Sequence, residues 1–203
     1  MNMQKKKVLS AEGSESLSLV SLIVRTKNRL ALLSEALQSI VQQTYPKIEV
    51  IVVNDGGQDV SEVVESFNDT KLSIVLVQFT TPLGRSKAAN VGLDRANGEY
   101  IAFLDDDDWL DPEHIQQLLL LLENPLQADC VAAYSCVRSI EQKTGKLIRL
   151  FDRVYSPVTL KLENYLPIHA VLFRRHVIDG PTACHFDEAF DLFEDWDFWL
   201  QLQ

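Results

Sequence analysis

The sequence predicts an α/β protein: a mostly parallel open sheet flanked by helices, with a smaller α+β portion after it. Three observations carry this expectation. Short β-rich runs alternate with amphipathic helical stretches over residues 18–125. The runs are continuously apolar rather than alternating, as in parallel strands covered on both faces. Polar residues gather where three runs end: Arg25-Thr26-Lys27-Asn28, Asn54-Asp55-Gly56-Gly57 and Asp105-Asp106-Asp107-Asp108.

Leu19-Val20-Ser21-Leu22-Ile23-Val24 is the first buried strand. A helix follows over 30–43, where Leu30, Leu33, Leu37, Ile40 and Val41 recur at helical spacing. Glu49-Val50-Ile51-Val52-Val53 is the second strand, broken by Asn54-Asp55-Gly56-Gly57. Residues 60–67 predict a short helix and 72–77 a third strand. Residues 84–96 predict a helix that Asn97-Gly98 stops through a left-handed cap. Tyr100-Ile101-Ala102-Phe103-Leu104 is the fourth strand. Asp111 as N-cap and Pro112 at the first helical position open a helix to residue 123, closed by Asn124-Pro125. The pattern then changes. A strand is expected over 131–137, a hairpin over 138–150 around Thr144-Gly145, a short strand over 171–173, and a helix from about residue 194. Leu192, Trp196, Trp199 and Leu200 are expected on the core-facing side of that last helix.

The expected organisation is a polar, disordered leader over 1–17 and one domain over 18–203. An open α/β half would run to about 125 and a smaller α+β part over 126–203. The chain ends at Gln203 inside a predicted helix, which suggests a C-terminally truncated domain.

Of the 203 residues, 46% are hydrophobic and 24% charged, which excludes a disordered tail, a collagen-like fibre and a bare coiled coil. Lys and Arg number 19 against 29 Asp and Glu, a net charge of −10. Such a chain is poorly suited to nucleic acid or an anionic membrane. Cys130, Cys136 and Cys184 are odd in number and form no C-x-x-C pair, which fits a reducing compartment. No apolar stretch nears the roughly 20 residues that cross a bilayer. A soluble cytoplasmic protein with no transmembrane segment is expected.

In an open parallel sheet, ligands bind beyond the carboxyl ends of the strands. An acidic run is often only a solvated loop, but Asp105-Asp106-Asp107-Asp108 emerges from the end of a fully apolar strand. If the chain stays extended, alternation puts Asp105 and Asp107 on one side. Their hard oxygens suit Mg²⁺ or Mn²⁺ together with ligand phosphates. Asp55 is placed either as a turn former or as an acceptor for a pyrimidine N–H, with Gly56 and Gly57 permitting close ligand approach. Arg85 and Lys87 precede or open a helix, either as an ordinary solvated helix start or as cations near a nucleotide's negative charge, while Asn90 and Gly92 are packing residues there. Glu194-Asp195 opens the last helix, either as acids complementing its dipole or with Asp195 as a general base. The dipole would keep Asp195 ionised and weaken its basicity. The four histidines lack metal-ligand spacing, although His169 precedes a strand and can face the site. Neither a P-loop nor a G-x-G-x-x-G after the first strand is present.

In order, Ser21-Leu22-Ile23-Val24-Arg25-Thr26-Lys27-Asn28-Arg29, the segment 49–57, the segment 84–92, Gly98-Glu99-Tyr100-Ile101-Ala102-Phe103-Leu104-Asp105-Asp106-Asp107-Asp108, and Glu194-Asp195-Trp196-Asp197 resemble the family 2 glycosyltransferases of GT-A fold. The resemblance runs from about Val20 to the last residue. It implies an inverting transfer, in polysaccharide or glycoconjugate synthesis, from a nucleotide-diphospho-sugar donor (a UDP-sugar by preference) to a glycan, lipid-linked or other hydroxyl acceptor. It also implies a Mn²⁺ or Mg²⁺ cofactor. Arg25, Thr26 and Asn28 would border the nucleotide and Asp55 would hydrogen-bond the base. Arg85 and Lys87 would lie near the phosphates. Asp105, Asp106 and Asp107 would form the DxD-like motif, Asp107 as direct metal ligand, Asp105 beside it, and Asp106 on ribose or metal. Asp195 matches the family's catalytic base. Ala89 stands where relatives often carry Arg. The alternatives are a non-catalytic or truncated nucleotide-sugar-binding module and, less well matched, a sugar nucleotidyltransferase.

Overall fold

The computed structural model describes residues 17–203. The expected leader lies outside the described residues except for Leu17.

The first half follows the predicted order: β1 (Val20–Thr26), α1 (Leu30–Val41), β2 (Ile48–Asn54), α2 (Ser61–Glu65), β3 (Ser73–Gln78), α3 (Arg85–Arg95), β4 (Tyr100–Asp105) and α4 (His114–Leu122). The second half adds β5 (Ala132–Tyr134), β6 (Val137–Ile140), β7 (Leu147–Phe151), α5 (Pro157–Leu160), β8 (Val171–Arg174) and α6 (Glu194–Gln201). One six-stranded sheet has the order β3-β2-β1-β4-β8-β5. Its first four strands are parallel, and β8 runs antiparallel to both β4 and β5. The mixed α/β class read from the sequence is the one observed.

Strand period 2 divides the core. Leu22 and Val24 of β1 face α1 and α4, where Leu33, Leu37, Ile40, Ile115 and Leu118 are buried. Ile23 faces the opposite side, with Ala88, Phe103, Phe173, Phe186 and Phe198. Phe198 packs on Phe173 of β8 at 5.4 Å, which joins α6 to the sheet, and Phe186 stacks on it at 4.5 Å. Register brings the rim together: Arg25 lies beside both Val53 and Asp105, and Thr26 beside Asn54. Each parallel strand therefore delivers its polar terminus to the same edge.

Four local expectations are corrected. Asn97-Gly98 makes no left-handed cap, because α3 passes into extended backbone at Ala96. Gly98 is needed instead for close approach: a Cβ there would lie 2.6 Å from the Ser21 backbone nitrogen and 2.7 Å from the Leu19 carbonyl oxygen. Asp111 does not cap α4, which starts at His114 after a turn. Its carboxylate accepts two hydrogen bonds from Arg138 at 2.9 and 3.2 Å. The strand expected over 131–137 divides into β5 and β6, because Tyr134 already pairs with the first residue of β8 and no partner strand remains. β6 pairs with β7 in a separate hairpin. Leu192 precedes α6 and is exposed, so the buried face of that helix is Glu194, Phe198 and Trp199.

Candidate active site

Arg25 organises the rim. It ends β1 pointing among carboxylates and is buried. Its Nε and Nη2 donate to the two oxygens of Asp105 at 2.9 and 3.1 Å. Its Nη1 donates to Glu194 Oε1 at 3.1 Å, 169 residues away in the chain. Burial pulls the Arg25 guanidinium pKa down, but Asp105 and Glu194 outweigh this and leave it raised. Arg85 adds a half-exposed cation, 3.0 Å from Glu194 and 3.5 Å from Asp105. Two arginines thus tie the end of β4 to the start of α6.

The aspartate run does not stay extended. The Asp108 backbone nitrogen donates to the Asp105 carbonyl at 3.1 Å, so the chain turns after β4. Asp105 and Asp107 consequently engage different arginines. Asp106 is buried, and its Oδ2 accepts from Thr26 Oγ1 at 2.7 Å and from the Lys27 backbone nitrogen at 3.4 Å. Burial pushes the Asp106 carboxyl up, against the pull of Thr26 and Arg29. Arg29 Nη1 bridges Asp106 at 3.0 Å and the exposed Asp107 at 2.7 Å. Asp108 pairs with His169 Nδ1 at 2.8 Å, which puts His169 at the margin of the rim.

Asp55 is buried, and its Oδ1 accepts from the backbone nitrogens of Leu83 and Gly84 at 2.5 and 3.3 Å. It anchors the loop into α3. Asn28, in the left-handed region at φ 59°, accepts from the Gln58 backbone nitrogen at 2.8 Å. Gly56 and Gly57 also have positive φ, and side chains there would meet Pro82 and Asn28. Their closeness is to the protein's own loops. Lys87 pairs with Glu188 at 3.7 Å, away from the carboxylates of the rim. Ala89 is fully buried in the core, where an arginine side chain has no room. Asn90 donates to and accepts from the Phe186 backbone at 2.9 and 3.0 Å, as its packing role predicts.

Phe193 occupies the left-handed region at φ 63°, which starts α6 abruptly. Glu194 and Asp195 therefore fall in its first turn. Asp195 is half-buried. Its Oδ1 accepts from Asn164 Nδ2 at 3.1 Å and from the Trp196 backbone nitrogen at 2.8 Å. Burial pushes the Asp195 carboxyl above the usual range; Asn164 pulls it back in part, and Glu194 pushes the same way as burial. The net shift of Asp195 is upward, opposite to that expected from the helix N-terminus, with desolvation of the charged form as its largest cause. Asn164, Arg29 and the cleft-lining Asp191 were absent from the sequence-derived candidates. Asn164 lies 31 residues before Asp195 in no motif, so only tertiary proximity reveals it.

A polar cleft of about 380 Å³ is lined by Arg25, Thr26, Asp55, Arg85, Asp105 and Asp107, among others. Asn28, Lys87 and Asp195 are not among the lining residues of this cleft; Asp195 is joined to it through the neighbouring Glu194, which pairs with Arg25 and Arg85. A larger, apolar cavity of about 790 Å³ runs along β5 and holds none of these residues.

The cleft was tested as a divalent cation site. Among the described residues, no three His, Cys, Asp or Glu side chains are arranged to enclose an ion. The exposed Asp107 carboxylate beside Asp106 nevertheless supplies hard oxygens of the kind that bind Mg²⁺ or Mn²⁺ when substrate phosphates and water complete the shell. The donor set fits an ion shared with a ligand, not a closed cage.

Next to the rim, His114 is largely buried and its Nε2 has no hydrogen-bond partner. Burial, then the nearby His169, lowers its pKa to about 4. An unfolded His titrates near 6.5, so the native state binds fewer protons between these values. Stability is expected to be full above pH 6.5 and to fall as pH drops toward 4, by on the order of 3 kcal/mol from this group. Urea unfolding of wild type and His114→Leu at pH 7 and 4.5 checks this. A gap between the two proteins that does not change with pH would refute it.

The architecture matches solved GT-A structures. The crystal structure of S. aureus TarS 1-349 superposes with a TM-score of 0.68 at 24% identity, over 91% of this chain and 55% of that one. The mannosyltransferase PcManGT from Pyrobaculum calidifontis, solved with GDP-Man and Mn²⁺, gives 0.59 at 22% identity, over 86% and 49%. The fold is of GT-A type. Residues 21–180 match the model for Glycosyl transferase family 2, and the chain belongs to that family. An uncharacterized glycosyltransferase of Haemophilus influenzae is 31% identical over 182 residues, 87% of this chain and 72% of its own length. YwdF of Bacillus subtilis, also an uncharacterized glycosyltransferase, is 29% identical over 90% of this chain and 67% of its own. The chain thus spans about two thirds of these relatives and about half of the two solved structures. Among the described residues, no helix is long and apolar enough to cross a membrane.

Proposed function

We propose that this domain transfers a sugar from a nucleotide-diphosphate donor to an acceptor hydroxyl, with inversion at the anomeric carbon and Asp195 as general base. One observation carries the reading. Asp195 is a half-buried carboxylate of raised pKa, fixed by Asn164, on a helix start that Arg25 and Arg85 tie to the aspartate run. Asp195 receives its hydrogen bonds on Oδ1, which leaves Oδ2 to take the acceptor proton. The acceptor oxygen then bonds to the anomeric carbon, and the bond to the diphosphate breaks with its electron pair leaving on the nucleotide. A raised pKa strengthens the base, and orientation of both substrates contributes much of the remaining acceleration.

The solved TarS complexes with UDP and UDP-GlcNAc and the PcManGT complex with GDP-Man and Mn²⁺ support a nucleotide-sugar donor and a divalent ion. UDP is our preferred nucleotide. In this reading Arg25, Thr26, Asn28 and Asp55 border the nucleotide, Asp106 the ribose, and Arg85 and Lys87 the diphosphate charge. Asp107, with Asp105 beside it, would hold Mn²⁺ or Mg²⁺; a bound ion there neutralises charge on the departing diphosphate. The acceptor is a glycan, lipid-linked or other hydroxyl. The cysteines Cys130, Cys136 and Cys184 are all free, which supports a cytoplasmic setting.

Thermal unfolding against UDP, dTDP, GDP, ADP and CDP, with and without Mn²⁺, tests the donor site. A ligand at about 100 times its dissociation constant adds roughly 2.7 kcal/mol. A Mn²⁺-dependent rise with one nucleotide, lost in Asp107→Ala, is expected. A cooperatively folded sample that responds to no nucleotide would overturn the donor-site reading.

A further inference from the structure

We infer that Arg29 is the resident counter-ion of the aspartate run: it holds the place of the divalent cation in the ligand-free protein and yields when that cation binds. This rests on the divalent-ion reading above and concerns what governs entry to that site.

The geometry is that of a cation between two carboxylates. A single nitrogen, Arg29 Nη1, lies 3.0 Å from Asp106 Oδ1 and 2.7 Å from Asp107 Oδ2. The other Asp106 oxygen is already taken by Thr26 and Lys27. Asp106 therefore has only the bridged oxygen left to offer a ligand, whereas Asp107 offers the bridged Oδ2 and its second oxygen. Without a cation, the buried Asp106 carboxylate and its neighbour Asp107 repel each other. Arg29 relieves this repulsion in the free protein.

It is also the arginine suited to leave. Arg25 is 7% exposed and held between Asp105 and Glu194, so its departure would strand buried charge. Arg85 contacts Asp105 and Glu194 but neither Asp106 nor Asp107. Arg29 is 49% exposed and stands at the residue before α1, so its head group can move without disturbing a helix or strand. A divalent ion that engages both carboxylates must take Asp106 Oδ1 and so displace Arg29, which lowers the affinity for the ion alone. Once displaced, the guanidinium is free beside the incoming diphosphate. Ion and nucleotide then favour each other's binding.

The test is Mn²⁺ titration followed by the EPR signal of free Mn²⁺, alone and with UDP. The proteins are wild type, Arg29→Gln, Arg29→Lys, Lys27→Gln and Asp107→Ala. Arg29→Gln is expected to bind Mn²⁺ alone about three- to tenfold more tightly, as loss of two partly exposed ion pairs implies. UDP should then enhance Mn²⁺ binding less than in wild type. Lys27→Gln removes the same charge from the cleft but none of the bridge, and should change affinity less. Should Arg29→Gln fail to fold, Arg29→Lys keeps the charge without the planar fork and is expected to bind Mn²⁺ more tightly than wild type. Unchanged or weaker binding in the folded Arg29 variant, or an equal gain in Lys27→Gln, overturns the inference. The divalent-ion reading would then still stand if Asp107→Ala abolishes binding. Absence of Mn²⁺ binding in wild type and Arg29 variants alike, with and without UDP, overturns the divalent-ion reading and this inference with it.

Discussion

Asp195→Asn is expected to lower transfer by about 10²–10⁴-fold, the usual contribution of a general base, while leaving the protein as stable as wild type or more so. The two halves of this expectation have one cause. Burial raises the Asp195 pKa, so the ionised form opposes folding. For a carboxyl with a raised native pKa, its favourable contribution is complete below the unfolded pKa and is lost as pH rises through the native one. At neutral pH the charge is therefore a burden, and asparagine removes it. The Asn oxygen can still accept from Asn164 and from the Trp196 backbone, as Asp195 Oδ1 does. Initial rates and thermal midpoints, measured together across pH, check the prediction. The wild-type rate should fall on the acid side as Asp195 protonates, and the residual rate of the variant should lack that limb. Undiminished transfer would remove Asp195 from the mechanism. A large drop in midpoint would assign it a structural role instead.

Arg25→Met is expected to destabilise the fold by about 3–5 kcal/mol, the range for removing one partner of a buried ion pair. Two carboxylates depend on this cation. Asp105 would keep Arg85 at 3.5 Å, and Glu194 would keep it at 3.0 Å, but that side chain is 53% exposed and screened by solvent. Arg25→Lys should fall between the two, since an ammonium cannot serve both carboxylates in the fork geometry. Denaturant midpoints of the three proteins measure this. A loss below about 1 kcal/mol, the scale of a surface pair, would mean that the network is solvated and does not hold α6 to the sheet.

Much of the fold was legible because parallel strands buried on both faces leave continuous apolar runs. Ile23, Ile51 and Phe103 sit at 0% exposure within such runs. The convergence of Arg25, Asp55 and the aspartate run was legible for the same reason, since strands of similar length end at one edge. The placement of β8 was not, because an antiparallel strand between β4 and β5 is fixed by register over only a few residues. The expectation that Asp105 and Asp107 share a side assumed an extended chain, and one backbone hydrogen bond from Asp108 to Asp105 turns it. The Asn97-Gly98 reading used local turn chemistry, whereas Gly98 is constrained by Ser21, 77 residues away.

The sequence by itself determined the order of elements as far as α4, the family and the edge of the sheet where the polar residues gather, because each depends on local periodicity and on short motifs. The tertiary structure alone decided what those residues do to one another. It set Arg25 between Asp105 and Glu194, Asn164 on Asp195, and Arg29 across Asp106 and Asp107. Pairing of charges depends on distance and burial, and neither is a property of chain neighbours: Arg25 and Glu194 lie 169 residues apart in sequence and 3.1 Å apart in space.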